Sequence, residues 1–379
     1  MSKENILSII SVLLSIAILV FASYILFSLR GKNTERDVPQ NDVKKEDYTQ
    51  SNDVQVKQQD PTQQKEFIHS AWIPAFDFMN GFQSLKIHKD LIKEVNPVLY
   101  TVNSDGTLAI SKPDEKAFQD FLTFCSANDI KVVPTVGSYD YKVMENVLSS
   151  QVYIEKNISE IVNEVNKYGY SGIDIDYERI KTSQKDGYLL FLRDLNTELK
   201  KSNKRLSVTV FAKTRDSFTD TLFVQDWKEI ADIADMVKIM GYDYTLQTST
   251  IPGPIGPMDW IQEVIKYSSG KIPSEKISLG IHLYAYLWKG EKASALTYSS
   301  VLNILNNSNI QKEYKKDIEE GYVKYTCSDG SQCVLFYQTP EGVSARVKFA
   351  QDTHLGGVSY WRLGGDENIL NSNPGLQGR

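Results

Sequence analysis

From Phe67 onward, two hydrophobic patterns alternate along the chain: short apolar runs, and longer segments with apolar residues at helical spacing. Apolar runs of about four to eight residues are typical of strands, and a repeat of about 3.6 residues is typical of amphipathic helices. The helical repeat covers 113–128, 154–168, 188–199, 227–234 and 258–268. The strand pattern covers Ser70–Pro74, Val98–Val102, Lys131–Val136, Gly172–Tyr177, Leu206–Ala212, Met236–Tyr242, Ile277–Leu283 and Gly357–Trp361. Strands that alternate with helices predict an α/β fold with a parallel sheet, and eight of them predict a (β/α)8 barrel.

The fourth strand pattern carries an acidic residue at every second position. Asp174, Asp176 and Glu178 alternate with Ile173, Ile175 and Tyr177. Because side chains of a strand point to alternate faces, the acids share one face at a spacing of roughly 7 Å. Helical segments flank the run, so we expect the strand to be covered on both faces and the acids to face a closed interior. Neighbouring carboxylates repel one another, and such a cluster is typical of acid–base catalysis; the alternative is a half-exposed strand whose polar face meets water.

The ends of the predicted strands supply the other candidate site residues. In a (β/α)8 barrel the active site lies at the carboxyl ends of the strands, where side chains from different strands converge. The candidates at these ends are Glu178, Tyr242, Asp243 and Trp361, with Trp72 and Tyr284 as weaker ones. The alternative is core packing for the four aromatic residues, and a loop or helix-capping role for Asp243.

A long segment, about 288–343, separates the seventh and eighth predicted strands. It is too long for a barrel connection and predicts a small α+β insertion. Within it, Cys327 and Cys333 flank the turn-like sequence Ser-Asp-Gly-Ser-Gln. A disulfide and two free thiols are the alternatives for this pair, and a disulfide would fit an oxidising compartment.

The N-terminal region differs from the rest of the chain. Ile6 to Leu29 is mostly apolar and uncharged, and its 24 residues are enough to span a bilayer as a helix. Ala22-Ser23 is a poor candidate for a signal-peptide cleavage site, so we predict an uncleaved transmembrane anchor, or an uncleaved signal, over 1–30. The polar segment 31–66 predicts a flexible tether. Basic residues just after the anchor favour a cytoplasmic domain by the positive-inside rule, whereas the chemistry below favours an exported one at the cell surface.

Composition argues against several classes of function. The chain has 379 residues and a net charge of -6, which gives no basic field for nucleic acid. Its four His and three Cys have no zinc-ligand spacing, and no glycine-rich phosphate loop is present. We therefore expect no metal, no cofactor and no nucleic-acid partner, and we expect a monomer.

The motifs Gly172–Glu178, Met240–Tyr244 and Gly356–Trp361 resemble those of glycoside hydrolase family 18, which includes chitinases and N-acetylglucosaminidases. Gly172–Glu178 is similar to the D-G-x-D-x-D-x-E signature, with Ser171 where an Asp often stands. Met240–Tyr244 resembles the M-x-Y-D element of the sixth strand, and Gly356–Trp361 resembles the eighth strand, which ends in Trp. The third strand departs from the family, because Gly137 is a single glycine where Ser-x-Gly-Gly is typical.

The resemblance implies a substrate-assisted mechanism, in which the 2-acetamido carbonyl of the sugar is the nucleophile. The strand supports this, because Asp176 and Glu178 lie on one face and Asp176 is badly placed to attack the anomeric carbon. By resemblance, Glu178 is the general acid, Asp176 binds the acetamido N–H, and Asp174 shares a proton with Asp176. Tyr242 would hold the acetamido carbonyl, Trp361 would form the floor beneath the sugar, and Asp243 would bind a sugar hydroxyl or the neighbourhood of Glu178. Trp72 and Tyr284 are weaker candidates for substrate contacts, taken from their places at strand ends, and core packing is favoured for both.

The implied function is hydrolysis of β-1,4-linked glycans that contain N-acetylglucosamine. The likeness is strongest to the bacterial cell-wall branch, which includes spore peptidoglycan hydrolases. A predicted anchor favours peptidoglycan or another envelope polysaccharide over external chitin. The alternatives are a lectin-like binding member of the family, against which the presence of Glu178 argues, and a structural envelope protein.

Overall fold

The computed structural model describes residues 66–306, 310–366 and 369–370. The predicted anchor, 1–30, lies outside these residues, as does the predicted tether except for Glu66. Within the described ranges, no helix is both long and apolar enough to cross a membrane.

The strands and helices of the described residues follow one another in the alternation that the sequence predicts. The strands are β1 (Ile68–Pro74), β2 (Glu94–Val102), β3 (Leu108–Ile110), β4 (Lys131–Val132), β5 (Thr135–Ser138), β6 (Gly172–Tyr177), β7 (Arg205–Phe211), β8 (Met236–Met240), β9 (Ile277–His282), β10 (Tyr284–Lys289), β11 (Lys292–Thr297), β12 (Glu313–Lys315), β13 (Glu320–Thr326), β14 (Gln332–Tyr337) and β15 (Gly357–Trp361). The helices are α1 (Phe78–Ile87), α2 (Glu115–Ala127), α3 (Tyr141–Leu148), α4 (Gln151–Tyr168), α5 (Lys185–Lys201), α6 (Asp220–Val224), α7 (Trp227–Ile233), α8 (Met258–Ser268), α9 (Tyr298–Leu305) and α10 (Pro340–Asp352), with 3-10 turns at Ala75–Asp77, Thr182–Gln184 and Ser274–Lys276.

A closed parallel barrel forms the centre of the described chain. Its strands run in the order β1, β2, β5, β6, β7, β8, β9 and β15, and β15 pairs back onto β1. The pairings around this ring are all parallel. The predicted (β/α)8 barrel is therefore confirmed. The predicted third strand is divided into β4 and β5, with Val133 and Pro134 between them. It ends at Ser138, two residues beyond the predicted end at Val136.

The two faces of β6 divide as the alternation predicts. Ile173, Ile175 and Tyr177 are buried on the outer side, where the ring of Tyr177 stacks on that of Phe191 in α5, with centroids 5.2 Å apart. Asp174 points inward, because its bonding partners lie on other barrel strands. The apolar face thus holds the strand against the helices, and the acidic face lines the barrel.

A second, antiparallel sheet lies between β9 and β15. Its strand order is β11-β10-β14-β13-β12, and Cys327 and Cys333 form a disulfide across the β13–β14 hairpin. The predicted bounds of this insertion, about 288–343, differ from the elements of the structure at both ends. The sheet begins at Tyr284, only two residues after the seventh barrel strand ends. At the other end α10 packs against β9 and β15, so it is a barrel helix; the Thr339 hydroxyl caps it, accepting from the Gly342 N–H at 3.0 Å.

Candidate active site

Asp174 is the deepest of the three acids and is fully buried. Its oxygens accept hydrogen bonds from Ser207 Oγ (2.6 Å), Thr135 Oγ1 (2.9 Å), Thr209 Oγ1 (3.1 and 3.2 Å) and Trp72 Nε1 (3.3 Å). These donors belong to β7, β5 and β1, so strands on both sides of β6 and across the barrel hold the carboxylate. The acceptor positions of Asp174 are used by protein donors, which suits a supporting role beneath the site.

Asp176 lies two residues closer to the mouth. Its Oδ2 is 3.4 Å from the Tyr139 hydroxyl, whereas Oδ1 is buried without a hydrogen-bond partner among the described residues. Burial raises the pKa of Asp176 well above its ordinary value, and the charges of Glu178 and Asp174 raise it further. Asp176 therefore offers a buried acceptor that no described group uses. The structure shows no Asp174–Asp176 hydrogen bond within the described residues, so their proton sharing stays a prediction.

Tyr139 is a site residue that sequence reasoning missed. It follows β5, and its phenol folds back over Gly137 to reach Asp176. A Cβ at Gly137 would collide with that ring, which explains why glycine stands at this position of the third strand. Burial of the hydroxyl and the nearby carboxylates raise the pKa of Tyr139 well above its ordinary value, although the residue as a whole is 45% exposed. The hydroxyl is therefore a neutral donor facing inward on a ring whose outer part meets solvent.

Glu178 lies at the carboxyl end of β6, where the backbone fixes it. Its N–H donates to the Ser138 carbonyl at 2.9 Å, and its carbonyl accepts from Thr221 Oγ1 at 2.8 Å. Burial raises the pKa of Glu178 to about 7; the Asp243 charge adds to this rise, and Arg179 opposes it. A carboxyl that is protonated near neutral pH can give a proton to a leaving oxygen, which is the property of a general acid.

Tyr242 stands just beyond the sixth barrel strand, which ends at Met240 and not at Tyr242 as predicted. Its ring is largely buried and meets Tyr284 edge-on, with centroids 6.2 Å apart. Burial, and the carboxylates of Asp176, Asp243, Glu178 and Asp174, raise the pKa of Tyr242 well above its ordinary value. The acidic cluster and Tyr242 therefore share one mouth, and the hydroxyl remains a donor.

Asp243 is held by the insertion. The hydroxyls of Tyr284 and Tyr286 both donate to its Oδ1, the second at 2.7 Å. Burial raises the pKa of Asp243, and these two bonds oppose the rise. Asp243 has a φ of +60°, a left-handed conformation that Asp tolerates better than most residues. Tyr284 therefore bonds Asp243, and its contact with substrate stays a prediction. Tyr286, which shares its strand face, was missed although the alternation Tyr-Ala-Tyr is visible in the sequence.

The two tryptophans have different surroundings. Trp361, at the end of β15, is partly exposed and meets Trp72 edge-on at 6.0 Å between centroids. Trp72 is only 2% exposed, and its indole N–H donates a hydrogen bond to Asp174. For Trp72 the structure thus favours packing and support of Asp174, and Trp361 is the tryptophan that faces the mouth.

The chain is similar to several known proteins. Residues 39–366 match the profile of the family described as Glycosyl hydrolases family 18. A cortical fragment-lytic enzyme of Bacillus anthracis is 26% identical over 289 residues, covering 72% of this chain and 66% of the relative, slightly less than two thirds of its length. Two solved structures share the fold: a chitinase of Chromobacterium violaceum (TM-score 0.76, 19% identity, 83% of this chain and 100% of that one) and the Bacillus cereus spore cortex-lytic enzyme SleL (0.73, 21%, 82% and 75%).

Proposed function

The chain belongs to glycosyl hydrolase family 18, and from this premise we propose that it is a glycosidase of glycans that contain N-acetylglucosamine. The observation that carries the proposal is the graded line of carboxyls on β6. Asp174 is saturated with donors, Asp176 keeps a buried acceptor without a partner, and Glu178 has a pKa of about 7. Glu178 can thus protonate the glycosidic oxygen at the rim, while Asp176 below it has a free acceptor for the N–H of the sugar's acetamido group.

In the proposed first step, Glu178 gives its proton to the glycosidic oxygen. The bond from the anomeric carbon to that oxygen breaks, while the acetamido carbonyl oxygen of the same sugar bonds to the anomeric carbon. The product is a cyclic oxazolinium ion with the leaving alcohol neutral. In the second step the Glu178 carboxylate takes a proton from water, whose oxygen attacks the anomeric carbon and reopens the ring. Two inversions retain the configuration.

The other residues support that ion. Asp176 Oδ1 would accept from the acetamido N–H, and the positive charge of the ion would favour the ionised form of Asp176. The Tyr242 hydroxyl would donate to the acetamido carbonyl oxygen and fix it beneath the anomeric carbon. Trp361 would offer its partly exposed indole as the floor of the sugar site.

We further propose peptidoglycan or a related β-1,4-linked envelope polysaccharide as the substrate. The support is the likeness to proteins named for cortical fragment and spore cortex lysis, together with the predicted anchor. We also propose that the catalytic domain lies outside the cytoplasm, tethered to the membrane by residues 1–30. The Cys327–Cys333 disulfide supports this placement, because structural disulfides are rare in reducing compartments.

The function is tested by incubating the full chain with chitooligosaccharides and with purified peptidoglycan. We expect release of reducing ends by the wild type, and loss of this release by a factor of about 100 or more in Glu178→Gln. Glu263→Gln is the matched control, because this exposed glutamate lies on α8, away from the mouth. Binding of glycan by the wild type without turnover would instead indicate a lectin, and neither binding nor turnover would indicate a structural protein.

A further inference from the structure

A lysine lies inside the barrel, beneath the acids. Lys238 on β8 is 1% exposed, and its Nζ is 3.0 Å from Glu94 Oε1 and 3.9 Å from Asp174 Oδ1. The ammonium also lies 5.3 Å from the centre of the Trp72 ring. Glu94, on β2, is 3.4 Å from Arg205 Nη1 on its other side. A line of alternating charge therefore runs from the amino end of the barrel to Asp174.

Packing alone does not explain this line. Removing a lysine and a glutamate from water costs several kcal/mol per ion, and apolar residues of similar volume are often at least as stabilising. Elsewhere the same barrel fills its interior with neutral groups: the hydroxyls of Ser70 and Ser278 each lie 2.6 Å from that of Ser359. Neutral filling is thus compatible with this barrel, whereas the Lys238–Glu94 pair is placed where Lys238 reaches Asp174.

We propose that Lys238 is a positioning residue that acts through Asp174. Its positive charge, balanced by Glu94, keeps a negative charge on the Asp174–Asp176 pair and so fixes the acidic end of the pH range in which the site works. This inference rests on the proposed function, because the pair must keep one negative charge to stabilise the oxazolinium ion. Lys238 does not touch substrate in this scheme.

The charges around the Asp174–Asp176 pair determine in which direction each substitution should move the acidic limb of the activity profile. Facing Asp174 are the neutral donors already described, the Lys238 ammonium, the Asp176 carboxyl and, by electrostatic interaction, Tyr139, Tyr188 and Tyr242. Asp176 in addition faces the Glu178 carboxyl. Of these groups Lys238 is the cation. Removing it makes nearby carboxylates easier to protonate, so the acidic limb of the activity profile moves to higher pH. Removing the Glu94 charge has the opposite effect and moves that limb to lower pH.

The test is the pH profile of kcat/KM for Lys238→Met, Lys238→Arg and Glu94→Gln in the full chain, on chitooligosaccharides. A unit charge about 4 Å away shifts a carboxyl titration by about 1 to 3 pH units, so we expect the acidic limb of Lys238→Met to rise by about 1 pH unit or more. Glu94→Gln should move it downward, and Lys238→Arg should stay near the wild type. A uniform loss of activity with an unmoved limb, or shifts of the same sign in Lys238→Met and Glu94→Gln, would overturn the proposal.

A second measurement separates this inference from the proposed function. Proton uptake by the acids is followed in the full chain by carboxyl-carbon NMR with labelled Asp, using Asp174→Asn and Asp176→Asn for assignment. The protonation step of the Asp174–Asp176 pair that occurs at the lowest pH should move to higher pH in Lys238→Met and to lower pH in Glu94→Gln, even if no glycan is cleaved. Because Lys238→Met leaves Glu94 with fewer partners, Glu94→Gln/Lys238→Met, which removes both charges, is measured alongside it. The double variant should shift upward, since Lys238 contacts Asp174 directly; an unmoved step in a folded double variant would contradict the role.

Discussion

At the scale of single residues, the burial that prepares Glu178 for catalysis also opposes folding. Burial raises the pKa of Glu178 from 4.5 to about 7, so the folded state binds a proton that the unfolded state releases between these values. Stability from this group is therefore complete below pH 4.5 and is lost as pH rises toward 7. Asp176, whose pKa is raised too, acts in the same direction.

Removing this charge should stabilise the fold at alkaline pH. Glu178→Gln keeps the shape and removes the titration, so we expect a higher melting temperature than that of the wild type at pH 8, and a difference close to zero at pH 4. Thermal unfolding of both proteins at the two pH values measures this. A destabilised Glu178→Gln at pH 8 would contradict the inferred burial of the charge.

The same pKa predicts the alkaline limb of catalysis. A general acid must be protonated before it acts, so kcat/KM should fall as pH rises through about 7. The pH profile of the wild type on chitooligosaccharides measures this limb. Full activity maintained to pH 9 would show that Glu178 does not supply the proton.

Tyr139 gives a further prediction. Its hydroxyl donates to Asp176 Oδ2 at 3.4 Å, and one such hydrogen bond contributes about 1 kcal/mol. We expect Tyr139→Phe to lower kcat by about five- to tenfold with little change in KM. Tyr153→Phe, at a tyrosine on the surface of α4, is the control. An unchanged kcat in Tyr139→Phe would remove Tyr139 from the site.

The site residues differ in how well the sequence reveals them. The acids of β6 are visible because a strand alternates and because helices flank it. The role of Tyr139 is not visible in the sequence, because its contact with Asp176 depends on its side chain folding back over Gly137. Lys238 is hidden for a similar reason: its partners Glu94 and Asp174 are distant in sequence and meet only when the barrel closes.

At the scale of elements, the eight barrel strands are predictable and their ends are less so. Apolar runs mark the middle of each strand, but β2 begins at Glu94, four residues before the predicted start. Glu94 and Asn96 are polar and Pro97 cannot donate to a ladder, so the local pattern favours a loop there. Inside the barrel the Glu94 carboxylate pairs with Lys238, and the Asn96 side-chain amide donates to the Val133 carbonyl, while Asn96 Oδ1 has no hydrogen-bond partner among the described residues.

The first strand of the insertion is the element that completes the mouth. β10 places Tyr284 and Tyr286 on one face, where both donate to Asp243. We expect Tyr286→Phe to lower kcat/KM by about tenfold, since loss of a hydrogen bond to a charged group costs about 1.5 kcal/mol or more. Steady-state kinetics measures this, with Tyr325→Phe on β13 as the control. Equal effects of the two substitutions would mean that the insertion acts only through stability.

At the scale of the whole molecule, the placement of the catalytic domain remains a prediction. The apolar segment Ile6–Leu29 predicts an anchor, the basic residues after it favour a cytoplasmic domain, and the Cys327–Cys333 disulfide favours export. Protease added to intact cells that carry the full chain should degrade the domain if it is exported. A cytoplasmic protein serves as the control for lysis, and a protected domain would contradict export.

In the proposed mechanism the substrate's own acetamido group attacks the anomeric carbon. Comparing the hydrolysis of chitotetraose with that of its fully N-deacetylated counterpart under identical conditions tests this step. We predict cleavage of the acetylated tetramer with retained configuration at the new reducing end, and no cleavage of the deacetylated one. Cleavage of both at similar rates would contradict this mechanism, because the nucleophile would then have to come from the protein or from water.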